Sequence, residues 1–195
     1  MKKYIEMILR KIAVSMLALL IVMTTYFSNS GGSLFLKTKK VQADTGETTL
    51  AMSQAMSRNK IPAIGRAASE GLWAMTAGGH RVFCLNSGKT MCSGDTLKYK
   101  TVNAATYEKK GIAKALQWYF MKSNKNTKAL ALTQAYIWAC GHGANKQNTV
   151  YQAGKNVQKG YSQNDAKKFC ETISDQDPEG TIYYYTVKKL SLIHI

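Results

Sequence analysis

The chain has 195 residues and carries 27 Lys and Arg against 11 Asp and Glu, a formal net charge of +16, with 45% hydrophobic and 19% charged residues. That length suits one domain of ordinary size, the balance excludes a wholly disordered acidic or polar tail, and two prolines exclude a Pro-rich stalk. The positive excess invites a phosphate-binding reading, so its placement along the chain decides its meaning.

Residues 1–43 have the order of an export signal: Lys2, Lys3, Arg10 and Lys11, then an apolar run over 12–23, then a more polar stretch. The run is short for a membrane span. Val41-Gln42-Ala43 places short residues where a signal peptidase reads, so cleavage is expected after Ala43; the alternative is an uncleaved anchor with 31–40 as a basic linker. Cleavage removes seven basic residues and Glu6, leaving +10 on the mature chain. The remaining basic residues are scattered, in pairs such as Lys109–Lys110, Lys167–Lys168 and Lys188–Lys189. With no arginine comb, zinc-finger spacing or aromatic–basic RNA motif, a solvated basic surface is expected and no nucleic-acid partner.

The expected mature domain is 44–190. Residues 44–70 are polar and alanine-rich, broken by Pro62 and Gly65, and carry only a weak pattern. Over 71–86, apolar bursts around Trp73 and Val82-Phe83 flank Gly78-Gly79, which predicts two short strands joined by a turn. Ser87-Gly88 and Ser93-Gly94-Asp95 read as loop. From about Glu108, Ile112, Ala115, Leu116, Tyr119 and Phe120 line one helical face, with Lys109, Lys110, Lys114 and Lys122 outside. After a polar loop at 123–126, residues 127–140 are apolar nearly all round and stop at Gly141 and Gly143, which predicts a buried helix with a glycine stop. Ser162 and Asp165 have capping-box spacing ahead of Ala166, Phe169, Cys170 and Ile173, which predicts another helix. Residues 177–180 form a turn, and 181–187, with three consecutive tyrosines, a strand. Strands at both ends with helices between predict an α+β domain. Residues 191–195, Ser-Leu-Ile-His-Ile, resemble the translation of adaptor read-through, so His194 is given no functional weight.

Two segments carry chemistry. Arg81-Val82-Phe83-Cys84-Leu85-Asn86 puts a cysteine at the end of an apolar strand, and Leu132-Thr133-Gln134-Ala135-Tyr136-Ile137-Trp138 puts a glutamine in a buried helix. On that helix Gln134 shares a face with Leu130, Ile137 and Trp138, which aims its carboxamide into apolar surroundings. An amide buried without partners costs about 1–3 kcal/mol, so the position asks for a reason.

The pair "VFCLN" and "LTQAYIW" resembles the two signatures of the bacterial Cys–Gln thioester domains at the tips of Gram-positive surface adhesins, the family labelled by its Thr-Gln-x-Ala segment. Phe83-Cys84 matches the first signature; Leu132, Thr133, Gln134, Ala135, Ile137 and Trp138 match the second. The resemblance implies an internal thioester between Cys84 and Gln134 and attack on it by an amine of a host surface or matrix protein. It implies a single-use covalent adhesin, not a turnover enzyme, that is secreted or anchored to the cell wall. It further implies stalk domains and a sorting signal of the Leu-Pro-x-Thr-Gly type downstream, so that membrane contact comes only through the signal segment or such an anchor.

The chemistry can be stated without the family. A thiolate attacking the Gln134 carbonyl forms a tetrahedral oxyanion, and loss of ammonia leaves a thioester. Amides resist such attack unless the fold holds the two groups together, and orientation of that kind supplies about 7–11 kcal/mol. Water must be kept out, and Phe83, Tyr136 and Trp138 are the candidate shields. Two other readings stand beside this one. Cys84 as nucleophile with His142 as base and Asn145 as orienting group would make an exported cell-wall peptidase or amidase. Four cysteines in an exported chain also allow a disulfide-stapled binding module, with three possible pairings. If Cys84 is in a thioester, one disulfide can form among Cys92, Cys140 and Cys170. No Cys-x-x-Cys or paired-His spacing is present, so no metal or cofactor is expected.

Overall fold

The computed structural model describes residues 45–56, 71–85, 92–187 and 190–194. The chain divides into two compact units, Met1–Gln42 and Ala43–Ile195, and every described residue belongs to the second. The export segment, the Ser87-Gly88 loop and the Lys188–Lys189 pair therefore lie outside the described residues.

Among the described residues, six strands close into an antiparallel barrel in the order β1-β2-β3-β6-β5-β4. They are β1 (Thr45–Met56), β2 (Leu72–Ala77), β3 (His80–Cys84), β4 (Thr96–Asn103), β5 (Thr181–Val187) and β6 (Leu190–His194). Between β4 and β5 the chain runs through α1 (Lys110–Met121), α2 (Thr127–His142), α3 (Lys146–Val157) and α4 (Gln163–Ser174). The domain is thus of mixed α+β class.

The hairpin β2–β3 follows from two glycines. Gly78 (φ 56) and Gly79 (φ 82) sit between the paired residues Ala77 and His80, and positive φ at both central positions gives the twist that antiparallel neighbours need. β1 closes the barrel by serving two partners: Thr45 to Thr49 pair with β4, and Leu50 onward pairs with β2. Its side chains alternate over Thr45–Ser53, but only Leu50 is fully buried and the inward positions are mostly polar or small, which is why its sequence pattern is weak. β4 alternates over Thr96–Thr101, with Leu97 and Thr101 buried.

α2 is buried on every side from Ala129 to Ala139 and packs against α1, α3 and β3. A helix apolar all round belongs in the middle of a domain. Its start is fixed by Asn126, whose Oδ1 accepts from the Ala129 N–H (2.9 Å), and its end by Gly143 in the left-handed conformation (φ 65). The helix therefore runs through Gly141 and stops only at the second glycine. At α4 the Ser162–Asp165 capping box is complete, with Ser162 Oγ accepting from the Asp165 N–H and Asp165 Oδ2 accepting from the Ser162 N–H.

Besides β1, three elements go beyond the sequence expectation. α3 buries only Thr149, Val150, Ala153 and Gly154, a stripe too thin and polar to read as a helix. Its Gly154 has a packing reason: a Cβ there would lie 2.1 Å from the Tyr161 ring. β4 is the second. The third is β6, which occupies the stretch expected to be read-through; whatever its origin, Leu192 and Ile193 are fully buried in the barrel wall, opposite Cys84 and Phe83 of β3.

Candidate functional site

β3 ends at Cys84, and the strand's three last side chains, Val82, Phe83 and Cys84, are all buried. β3 pairs with β2 from Ala77↔His80 to Met75↔Val82. Two residues on, the backbone of Cys84 is met by a side chain. The Cys84 N–H donates to Gln134 Oε1 (3.0 Å), and Gln134 Nε2 donates to the Cys84 carbonyl (2.7 Å). The Gln134 carboxamide thus takes both backbone groups of one residue, as a neighbouring strand would.

Gln134 is 2% exposed and Cys84 5%. A buried amide has its polar atoms satisfied here by a single residue fifty positions away. The geometry also fixes which amide atom faces which group: the oxygen lies at an N–H, and the nitrogen lies at a carbonyl. Pairing places Cys84, Leu192 and Tyr185 on one side of the sheet, with Leu192 directly opposite Cys84. Leu192 and Tyr185 are both buried. These two neighbours of the cysteine escape sequence reasoning because they come from the far end of the chain, and only the strand register brings them to it.

The candidate shields occupy different places. Phe83 is fully buried and meets Tyr119 (ring centroids 4.8 Å) and Phe120 (6.3 Å) of α1 edge-on. Strand alternation sends it to the side of the sheet opposite Cys84. Trp138 is 8% exposed and lies one turn after Gln134, on the same helical face. Tyr136 lies on the other side of α2, where its ring meets Phe169 (6.5 Å) and the ammonium of Lys146 (5.5 Å). Burial pushes its hydroxyl up to about 12, with Cys140 and Cys170 adding to the shift and a hydrogen bond to Ser174 opposing it.

None of the four cysteines is in a disulfide. Cys92 is exposed in the turn before β4, its N–H donating to Asp95 Oδ2 (3.1 Å). Cys140 and Cys170 stand together beside Tyr136, half-buried. Burial pushes both thiols up, Cys170 to about 11, while Lys146 pulls against the shift in each. His142 is exposed on the last turn of α2. Asn145 caps α3, its Oδ1 accepting from the Asn148 N–H (2.8 Å), so its side-chain oxygen is engaged in holding that helix. Among the described residues no group of three His, Cys, Asp or Glu gathers as metal ligands, and no helix is long and apolar enough to cross a membrane.

Set beside known proteins, the chain matches no family model and no curated protein sequence.

Proposed function

We propose that this is an exported cell-surface adhesin domain whose Cys84, at a strand end, and Gln134, on the buried helix, form an internal thioester for covalent capture of an amine on a host surface protein. The observation that carries the reading is the double hydrogen bond between the Gln134 carboxamide and the Cys84 backbone. It brings the side-chain carbonyl to the residue that carries the thiol. It also gives the carbonyl oxygen an N–H donor before any reaction begins, and a donor already aimed at developing negative charge needs no reorganisation. Attack by sulfur on the carboxamide carbon breaks the C–Nε2 bond, and the thiol proton departs on ammonia. The reverse half of the chemistry is aminolysis: an incoming amine forms the new C–N bond, the C–S bond breaks, and a proton from the amine returns to sulfur.

Burial of both groups supports the lifetime such an acyl group requires, because water must be excluded from it. Cell-surface placement follows from the export segment and the family resemblance, and the acceptor is an amine such as a lysine side chain. The test is the intact mass of the freshly purified chain. The expected result is loss of one ammonia, abolished in Cys84→Ala and in Gln134→Ala, with methylamine treatment adding one methylamine to the reactive form. An unchanged wild-type mass would sink the reading.

A further inference from the structure

Two polar atoms of α2 are buried without a hydrogen-bond partner: Thr133 Oγ1 and Trp138 Nε1. An indole N–H in that state loses its water and gains nothing, at about 1–3 kcal/mol. The Trp138 N–H is the more telling of the two because of where it sits. At the two ends of one face of α2, Gln134 holds the Cys84 backbone (3.0 and 2.7 Å), and a Cβ on Gly141 would lie 3.4 Å from the Leu85 carbonyl. Trp138 lies between them on that face, one turn after Gln134. Helical Cα–Cβ bonds tilt toward the N-terminus, so large side chains lean over the preceding turn, which here carries Gln134. Thr133 points about a quarter-turn away from that face.

We propose that the Trp138 indole N–H is the second donor for the oxyanion that forms on Gln134 Oε1, completing a pair with the Cys84 backbone N–H. The inference rests on the thioester reading of the site. In the planar carboxamide the oxygen takes one donor, from Cys84. When sulfur adds to the carbon, the oxygen leaves the amide plane and gains charge, and a second donor held ready above that plane meets it. The same oxyanion recurs when an amine attacks the thioester, so one indole serves both steps. Its aromatic bulk can exclude water without the N–H, which separates this role from simple shielding.

The experiment follows ammonia loss by intact mass over time in the full chain freshly made by cell-free synthesis. Wild type is compared with Trp138→Phe, which keeps an apolar ring, and Thr133→Val, which removes the other orphan. Loss of one oxyanion donor slows comparable reactions by about 100-fold or more, and that is the slowing expected in Trp138→Phe, with Thr133→Val at the wild-type rate. Aminolysis by methylamine should slow in parallel. Should the phenylalanine variant fail to melt cooperatively, benzothienylalanine at the same position keeps the ring shape and replaces N–H with sulfur. Equal rates in wild type and the N–H-deleted variant overturn the role of Trp138 and leave the thioester standing; equal slowing in Thr133→Val also overturns it. No ammonia loss in wild type overturns the thioester reading and this inference with it.

Discussion

On one face of α2, Gln134 is held by two hydrogen bonds to a single backbone residue; on the other, Tyr136 and Cys140 pack against Phe169 and Cys170 of α4, with Lys146 over the tyrosine ring. Both faces are buried and both carry groups capable of chemistry. They differ in what defines position. Hydrogen bonds set the Gln134 carboxamide's orientation as well as its location, whereas the thiols beside Tyr136 are surrounded but not aimed. Burial also keeps those thiols protonated, with Cys170 pushed up to about 11, which makes them poor nucleophiles at neutral pH. On the two sides of one helix, then, directed polar contacts fix the orientation of Gln134, while desolvation keeps the thiols on the other side protonated.

The sharpest way to break that comparison is to replace each side chain by an apolar one of similar shape. In a Cys84→Ala background, which keeps the backbone donor and acceptor but prevents any thioester, Gln134→Leu removes both side-chain hydrogen bonds to the buried backbone of residue 84. The expected loss is about 2–6 kcal/mol in denaturant unfolding, from about 1–3 kcal/mol for each backbone group that loses its Gln134 partner. Tyr136→Phe, on the packed face, is expected to lose less than about 1.5 kcal/mol, the net worth of an ordinary hydrogen bond. Equal losses would mean that Gln134, too, is placed by packing alone.

Much of this contrast was legible in the sequence. Periodicity marked α1 and α2, the Ser162–Asp165 spacing marked the start of α4, and the unusual burial of a glutamine drew notice to position 134. Three things were hidden. α3 buries a stripe made of Thr149, Val150, Ala153 and Gly154, so its helicity depends on packing against Tyr161 and α2 instead of on a strong apolar period. The position of β6 opposite Cys84 is a consequence of barrel closure, a register fact with no local signature. The resemblance implies that Cys84 and Gln134 meet, but the groups that satisfy the Gln134 amide are backbone ones, which any residue type has, and only the fold places those of Cys84 there.

The packed side can be sharpened by pH. Burial raises the hydroxyls of Tyr107, Tyr136 and Tyr185 from 10.0 to about 12 and the thiol of Cys170 from 9.0 to about 11, while Tyr161 and Cys140 move the same way. All are neutral when protonated, and the unfolded chain gives up these protons at lower pH than the folded one. Their contribution is therefore complete below the unfolded thiol value of 9.0 and is lost as pH rises through the folded values of about 11 to 12. The melting temperature should hold steady up to the lower limit and then fall. Cys140→Ala together with Cys170→Ala should delay the onset of the fall toward the tyrosine range, and an onset that does not move would show that the two thiols are not buried in solution.

The smallest expected effect concerns Gly111, where α1 passes over the packed face. A Cβ there would lie 3.0 Å from Cys140 Sγ and 3.8 Å from both Lys146 Nζ and Tyr136 Cε1. Within a helix, Gly→Ala gains about 0.5–1 kcal/mol from backbone entropy. Against that gain stands a contact with sulfur that is tight by a few tenths of an ångström, so Gly111→Ala alone should be close to neutral. If the thiol is held only by packing, Cys140→Ala removes the obstacle, and Gly111→Ala in that background should then recover its full gain. The two changes should be non-additive by about 0.5–1 kcal/mol in a double-mutant cycle followed by denaturant unfolding. Additive behaviour would mean that the Cys140 side chain already turns aside at no cost. The packed face would then be looser than the hydrogen-bonded one in position as well as in orientation.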